Sequence, residues 1–223
     1  MKKTLNLSFV IITIFVLFSG CAGPRKFAVT PQMKEYEFTV EEKFGTLGYV
    51  PATDNRNPIE RTGMGPNAKE TMLGDKNYAN PLLDAFNNHM KKALFQSWLF
   101  KEIKDGTPQD VDYIFKSNLE QFQVFLDEKK ALSTQKWVGA FGGAFIGEAA
   151  AGSVDAEAMS NIRITGTLYK GEEKLWQESI TKYVHSVDDY SKTIPNTEKV
   201  IGESIGEGCK ELVTALAKYL SSK

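Results

Sequence analysis

The chain of 223 residues carries 27 basic and 28 acidic side chains, a formal charge of −1 at neutral pH. Lysine and glutamate are mixed throughout, so the basic stripe of a nucleic-acid-binding domain is missing and no nucleic-acid partner is expected. His89 and His185 lie far apart, and no paired-cysteine or HExxH spacing occurs, which argues against a metal centre.

At the N-terminus Lys2 and Lys3 precede an apolar run over 5–18, too short for the roughly 20 residues of a spanning helix. Phe18-Ser19-Gly20-Cys21 follows and resembles the lipobox of bacterial lipoproteins, with phenylalanine where the family prefers leucine. The resemblance implies removal of 1–20 as a signal peptide and acylation of Cys21 by diacylglycerol and palmitate. Each buried methylene then contributes about 0.8 kcal/mol towards holding the protein on a leaflet. Ala22, in place of aspartate, implies sorting to the outer membrane, with the domain on the periplasmic face. This covalent lipid is the one non-protein group expected, and no other cofactor is. Losing Lys2 and Lys3 leaves 25 basic against 28 acidic residues, a formal charge of −3. With Cys21 acylated, Cys209 lacks an intrachain partner and is expected as a small buried apolar residue.

Residues 21–34, with Gly23, Pro24 and Pro31, read as a lipidated tether that need not fold. Residues 35–223 then suit a single domain. Tyr36, Phe38 and Val40 alternate with polar residues and predict a first strand. Over 45–76 glycine, proline and asparagine dominate, predicting an irregular surface loop. Asn80 is placed to cap a helix with Pro81 in its first turn; Leu82, Phe86, Met90 and Ala93 form its apolar stripe. Asp105-Gly106-Thr107-Pro108 ends this helical region.

Val111, Tyr113, Phe115 and Leu119 share one parity, whereas Phe122, Val124 and Leu126 share the other. One long strand bent by a β-bulge is expected. Ile162, Ile164 and Leu168, a turn at Gly171, and Trp176, Ile180 and Val184 predict an antiparallel hairpin. A helix starting near 195–198 follows, with Ile201, Ile205, Cys209, Leu212, Leu216 and Leu220 on one face. The order strand, helix, three strands, helix predicts an α+β two-layer sandwich, an antiparallel-rich sheet with two helices on one face.

A glycine-rich insertion over 137–153 interrupts that pattern. As a helix it places Gly139, Gly143 and Gly147 on one face, open to close backbone approach, with Phe141 and Phe145 as a separate ridge. Its uncharged stretch of 11 residues would be about 16 Å long as a helix, too short to cross a bilayer. Packing within the domain, self-association between subunits and contact with the membrane interface remain open readings.

Asp54-Asn55-Arg56, then Gly63, Gly65 and Asn67, a helix, the Gly171–Trp176 turn region and a final amphipathic helix resemble, in this order, the YajG-like envelope lipoproteins. The glycine-rich insertion is similar to that of TraT and, more remotely, CsgG, families that imply ring assembly. Asp54, Arg56 and Asn67 are the candidate partner-binding loop; the bland alternative is a turn-forming aspartate beside an exposed arginine. No nucleophile elbow, paired-carboxylate motif or phosphate loop is present in supporting context, so no enzyme is expected. The expected role is a non-catalytic accessory, scaffold or assembly factor bound to an envelope protein; the alternative is an oligomeric surface or pore-forming lipoprotein.

Overall fold

The computed structural model describes residues 26–36, 43–64, 71–127 and 155–223. They form an α+β fold in which helices pack on one face of a single mixed sheet. In chain order come β1 (Phe44–Asp54), α1 (Pro58–Thr62), β2 (Thr71–Met72), α2 (Leu82–Gln96), β3 (Phe100–Asp105), β4 (Tyr113–Asp127), β5 (Asp155–Lys170), β6 (Glu173–Asp189) and α3 (Thr193–Ser221). Across the sheet the order is β3-β1-β4-β5-β6, and β2 pairs with β4 beyond the end of β1. β1 runs parallel to both β3 and β4, whereas β4, β5 and β6 are antiparallel.

This mixed sheet corrects the antiparallel-rich expectation, and β1 is the reason. Its sequence, with Gly45, Gly48 and Pro51, reads as loop, yet Leu47, Tyr49 and Ala52 are buried. Gly48 faces away from the helices, where the connection from β3 to β4 crosses β1. A Cβ there would stand 2.8 Å from the Gly106 carbonyl and 3.3 Å from Val111. Pro51 falls where the β1–β4 register slips between Val50 and Thr53, one of the few places a central strand tolerates proline. The irregular region expected over 45–76 is thus partly a central strand. Of the strand expected around Tyr36, Phe38 and Val40, Tyr36 is non-strand and the rest lies outside the described residues.

The parity change in β4 is a bulge: its register with β5 shifts between Leu119 and Gln121, so Phe115, Leu119, Phe122, Val124 and Leu126 all reach the core. β5 and β6 form the expected hairpin, with Gly171 at φ 59° in its turn. The helical region before Asp105 ends early. α2 stops at Gln96, the Ser97 hydroxyl donates to the Leu94 carbonyl at 2.6 Å, and the chain reverses into β3. His89 is buried on α2, where desolvation and, to a smaller degree, Lys92 push its pKa down to about 4. Cys209 is a free, buried thiol on α3 among the expected apolar residues.

Asn80 does not cap α2. Its side-chain amide accepts from the Val29 N–H at 2.9 Å and donates to the Val29 carbonyl at 3.0 Å, imitating a strand partner. It belongs to a set of contacts that corrects the tether reading, because residues 26–36 lie on the domain. Phe27 and Val29 are buried, the Phe27 amide donates to the Asn77 carbonyl, and the Ala79 amide donates to that of Phe27. The Ala28 amide donates to Glu198 at 2.8 Å, and the Gln32 amide to the Gly202 carbonyl at 3.1 Å. This strap crosses α3 at two glycines one turn apart. A Cβ on Gly202 would lie 2.4 Å from the Thr30 carbonyl oxygen, and one on Gly206 2.3 Å from that of Gln32.

Alanine is favoured over glycine inside a helix by about 1 kcal/mol, so propensity alone predicts that Gly206→Ala stabilises α3. The backbone clash has the opposite sign and costs about 1–3 kcal/mol or more. Gly206→Ala should therefore lower the urea midpoint and accelerate hydrogen exchange at the Ala28 and Gln32 amides. A raised midpoint would show that the strap is not held against the helix.

Candidate functional site

Beyond Leu119, β4 outruns β1, and a group of ionic side chains gathers beside its uncovered edge. Asn57-Pro58 starts α1: the Asn57 side chain accepts from the Ile59 amide at 2.9 Å, and Pro58 occupies the first turn. Glu60 is thereby turned onto the bulge, where it accepts from the Phe122 amide at 3.0 Å and the Gln123 side chain at 3.1 Å. Its burial follows from that task.

Arg56 lies above this contact and is 5% exposed. Its Nε and Nη2 donate to the two oxygens of Asp54 at 2.9 and 2.8 Å, while Nη1 donates to Asp75 at 3.0 Å. Asp54 also accepts from the Arg56 backbone amide at 3.2 Å, as a turn-forming aspartate does. The exposed arginine of the bland reading is overturned: this guanidinium is buried and forked between two carboxylates. Burial alone would raise the Asp54 pKa, but Arg56 outweighs it and holds the carboxyl below the usual carboxylate value. The exposed charges at the rim are Asp75 and Arg61, whose Nε lies 3.7 Å from Asp54 and 3.9 Å from Asp75.

Asp54, Arg56 and Asp75 line one wall of a cleft of about 410 Å³, and the start of α2 from Asn80 to Leu83 lines the other. Tyr78 lies beside it, buried, edge-on to Phe122, and its hydroxyl has no hydrogen-bond partner among the described residues. Desolvation pushes the Tyr78 pKa well above the usual tyrosine value. Chemically the cluster is a set of mutually neutralised ions suited to polar recognition at its rim. Among the described residues no group of three metal-ligating side chains assembles.

Of the sequence candidates, Asp54 and Arg56 come together. Cys21, Asn67, Gly139, Phe141, Gly143, Phe145 and Gly147 lie outside the described residues. Asp75, Glu60 and Tyr78 were not anticipated. The Asn57-Pro58-x-Glu60 helix-start signal was present for Glu60, whereas nothing local marks Asp75, which meets Arg56 across 19 positions.

No family model and no curated protein matches the chain. A solved structure shares its fold. Protein XCC0632 from Xanthomonas campestris, of family DUF330, is 12% identical at a TM-score of 0.57, covering 88% of this chain and 96% of that one. The hypothetical protein CT253 from Chlamydia trachomatis is 10% identical at 0.45, covering 82% and 100%. A neuraminyllactose-binding hemagglutinin homologue from Helicobacter pylori is 10% identical at 0.39, covering 87% and 91%. At 12% identity the likeness to XCC0632 is one of fold, and the YajG, TraT and CsgG resemblances are not shown by these comparisons.

Removing one partner of a buried, hydrogen-bonded ion pair costs about 3 kcal/mol. Arg56→Met should lower unfolding free energy by that order, whereas Arg61→Ala, at an exposed pair, should change it by less than about 1 kcal/mol. Asp54 adds a pH signature, since its folded pKa lies below the unfolded value of about 3.9. Its stabilisation is complete above that value and is lost as pH falls through the folded pKa. Urea titrations across the acid range should show this acid-linked loss reduced in Arg56→Met. Equal midpoints for Arg56→Met and wild type would remove the cluster's structural role.

Proposed function

We propose that this chain is an outer-membrane lipoprotein, acylated at Cys21 and facing the periplasm, that works without catalysis as an envelope accessory, scaffold or assembly factor. The observation that carries the reading is the Phe18-Ser19-Gly20-Cys21 sequence, followed by a segment that is docked on the domain from Lys26 onward. That arrangement suits a domain worn close to a leaflet. No helix among the described residues is long and apolar enough to cross a membrane, so the lipid supplies the attachment in this reading. The rim of Asp75 and Arg61 and the polar outer face of the sheet, where Asn118, Gln121, Arg163 and Gln177 converge, are the surfaces offered to an envelope partner.

One feature favours the oligomeric alternative. Among the described residues β6 is a 17-residue edge strand with no strand beyond it, and a long open edge is a template for pairing with another chain.

Two experiments test these readings. Cys21→Ala should accumulate as an unprocessed precursor without lipid label, and a variant still cleaved and labelled would overturn the anchor. Crosslinking with mass spectrometry in native envelopes should yield links from the Asp75–Arg61 rim or the outer sheet face to other envelope proteins. Exclusive self-links through β6 would replace the accessory role with the oligomeric one.

A further inference from the structure

We infer that β6 binds the β6 of a second copy of this chain, antiparallel about a two-fold axis at Ile180, joining two sheets into one. The inference stands on strand geometry, independent of the Cys21 anchor, and a dimer that also links to another envelope protein fits the accessory role proposed above.

Hydrogen bonding on β4 fixes which main-chain groups of β6 point outward. Beyond the bulge the Phe122 amide donates to Glu60 and the Val124 carbonyl accepts from Leu73, so even-numbered residues of β4 turn their main chain away from β5 and odd-numbered ones turn it towards β5. Gln121, Gln123 and Phe125 pair with Arg163, Asn161 and Met159, which turns the even residues of β5 towards β6. Ser160, Ile162 and Ile164 pair in turn with Val184, Lys182 and Ile180. The N–H and C=O groups of Gln177, Ser179, Thr181, Tyr183 and His185 are therefore the ones presented at the edge, beyond which no strand lies among the described residues.

One register suits self-pairing. With the axis at Ile180, that residue faces itself, Lys182 faces the second copy's Glu178, and Val184 faces its Trp176. These are pairs without mutual hydrogen bonds, in which side chains stand closest. Between them Thr181 and Tyr183 exchange main-chain hydrogen bonds with Ser179 and Gln177 of the second copy. An axis at Thr181 sets Ile180 against Lys182, one at Ser179 sets Ile180 against Glu178, and one at Lys182 sets that ammonium against itself. Each of these opposes unlike polarity or like charge.

α3 points to the same axis. Lys182 is ion-paired with Glu211, and the rings of Trp176 and Tyr219 lie 6.5 Å apart, so β6 and α3 run antiparallel and Ile180 falls beside Thr214 and Ala215. These residues line a groove of about 540 Å³ between strand and helix, together with Glu211 and Lys218. Glu211 and Lys218 are exposed, one turn to either side of Thr214 and Ala215. The axis at Ile180 lays the second copy's α3 antiparallel to the first and sets each Glu211 opposite a Lys218. Charges then alternate across the boundary, from the second copy's Glu178 to Lys182, to Glu211, to the second copy's Lys218. Exposed ion pairs of this kind select the register, while the main-chain ladder carries the affinity.

The test uses the acylated, full-length protein. Single cysteines are placed at 179, 180 and 181 and oxidised in native envelopes, with wild type, whose Cys209 is buried, as background. On the axis the two Cα atoms at 180 stand about 4.5 Å apart, within disulfide range, whereas 179 and 181 meet themselves only across a diagonal of about 7–8 Å. Ile180→Cys should give a disulfide-linked dimer, and Ser179→Cys and Thr181→Cys none. Light scattering in mild detergent should give a dimer mass for wild type and a monomer mass for Glu178→Lys and for Lys182→Glu, each keeping the wild-type circular dichroism. Mixing those two variants should restore the dimer, because each repelled pair becomes an attracted one. Should Ile180→Cys fail to fold, the charge reversals decide alone. A monomeric wild type, a dimer untouched by both reversals, no rescue on mixing, or crosslinking at 179 or 181 in place of 180 would overturn the pairing.

Discussion

The bulge in β4 is the constraint on which the architecture turns. A strand alternates its side chains with a period of two, so Leu119 and Phe122 can face one core only if an extra residue is inserted between them. That insertion frees the Phe122 amide at the moment β1 ends, since β1 pairs with β4 only as far as Leu119. The edge would otherwise stand open. It is covered in relay by the Asn55 amide on Leu119, Glu60 on Phe122, the Leu73 amide on Val124, and β2 on Phe125 and Leu126. Each cover is a different chemical device for the same need, which is to satisfy the stretch of β4 that β1 leaves uncovered. Glu60 ties α1 to the bulge, α1 follows Arg56, and Arg56 draws Asp75 in from the next loop. The ionic cluster is thus a consequence of how the sheet is closed.

The same logic applies on the opposite layer. α3 packs its apolar stripe on β5 and β6, where Gly208 meets Ile164 and Leu212 sits against Gly166. Its back face is left for the strap, and Gly202 and Gly206 lower the helix surface so that the backbone of Thr30 and Gln32 can lie on it. Close approach permits a direct hydrogen bond from Gln32 to the Gly202 carbonyl, a contact that a side chain on either glycine would prevent. A segment with few side chains of its own to bury is held instead by main-chain and carboxylate contacts.

Much of this was legible in the sequence where periodicity was the dominant signal. The β5–β6 hairpin, the apolar face of α3 and the parity slip in β4 all write burial directly into residue spacing. β1 did not, because its glycines serve a loop that crosses it and its proline serves a register slip; both are demands of tertiary contact, and locally they read as turn chemistry. The strap was hidden for a related reason, since only Phe27 and Val29 announce burial and the glycines that receive it lie about 170 residues away. Asn80 has the composition of a helix cap and is used instead to hold Val29. In the candidate site, Asp54 and Arg56 were visible as a short motif, yet the sequence could not say that the arginine faces inward, because Asp75 is brought to it by the fold.

That inward turn changes what the site can offer. A buried guanidinium already forked between two carboxylates has little left to give a partner, and withdrawing it would expose the desolvated oxygens it neutralises. Recognition beside the cleft therefore uses what stands outside the cluster: the exposed edge of Asp75, the half-exposed Arg61, and Ile59 and Met64 around α1. Arg56 sets the positions of these groups without touching what they touch. The chemistry beside the cleft is consequently mixed, with the exposed apolar side chains of Ile59 and Met64 next to an ionic centre already neutralised from within.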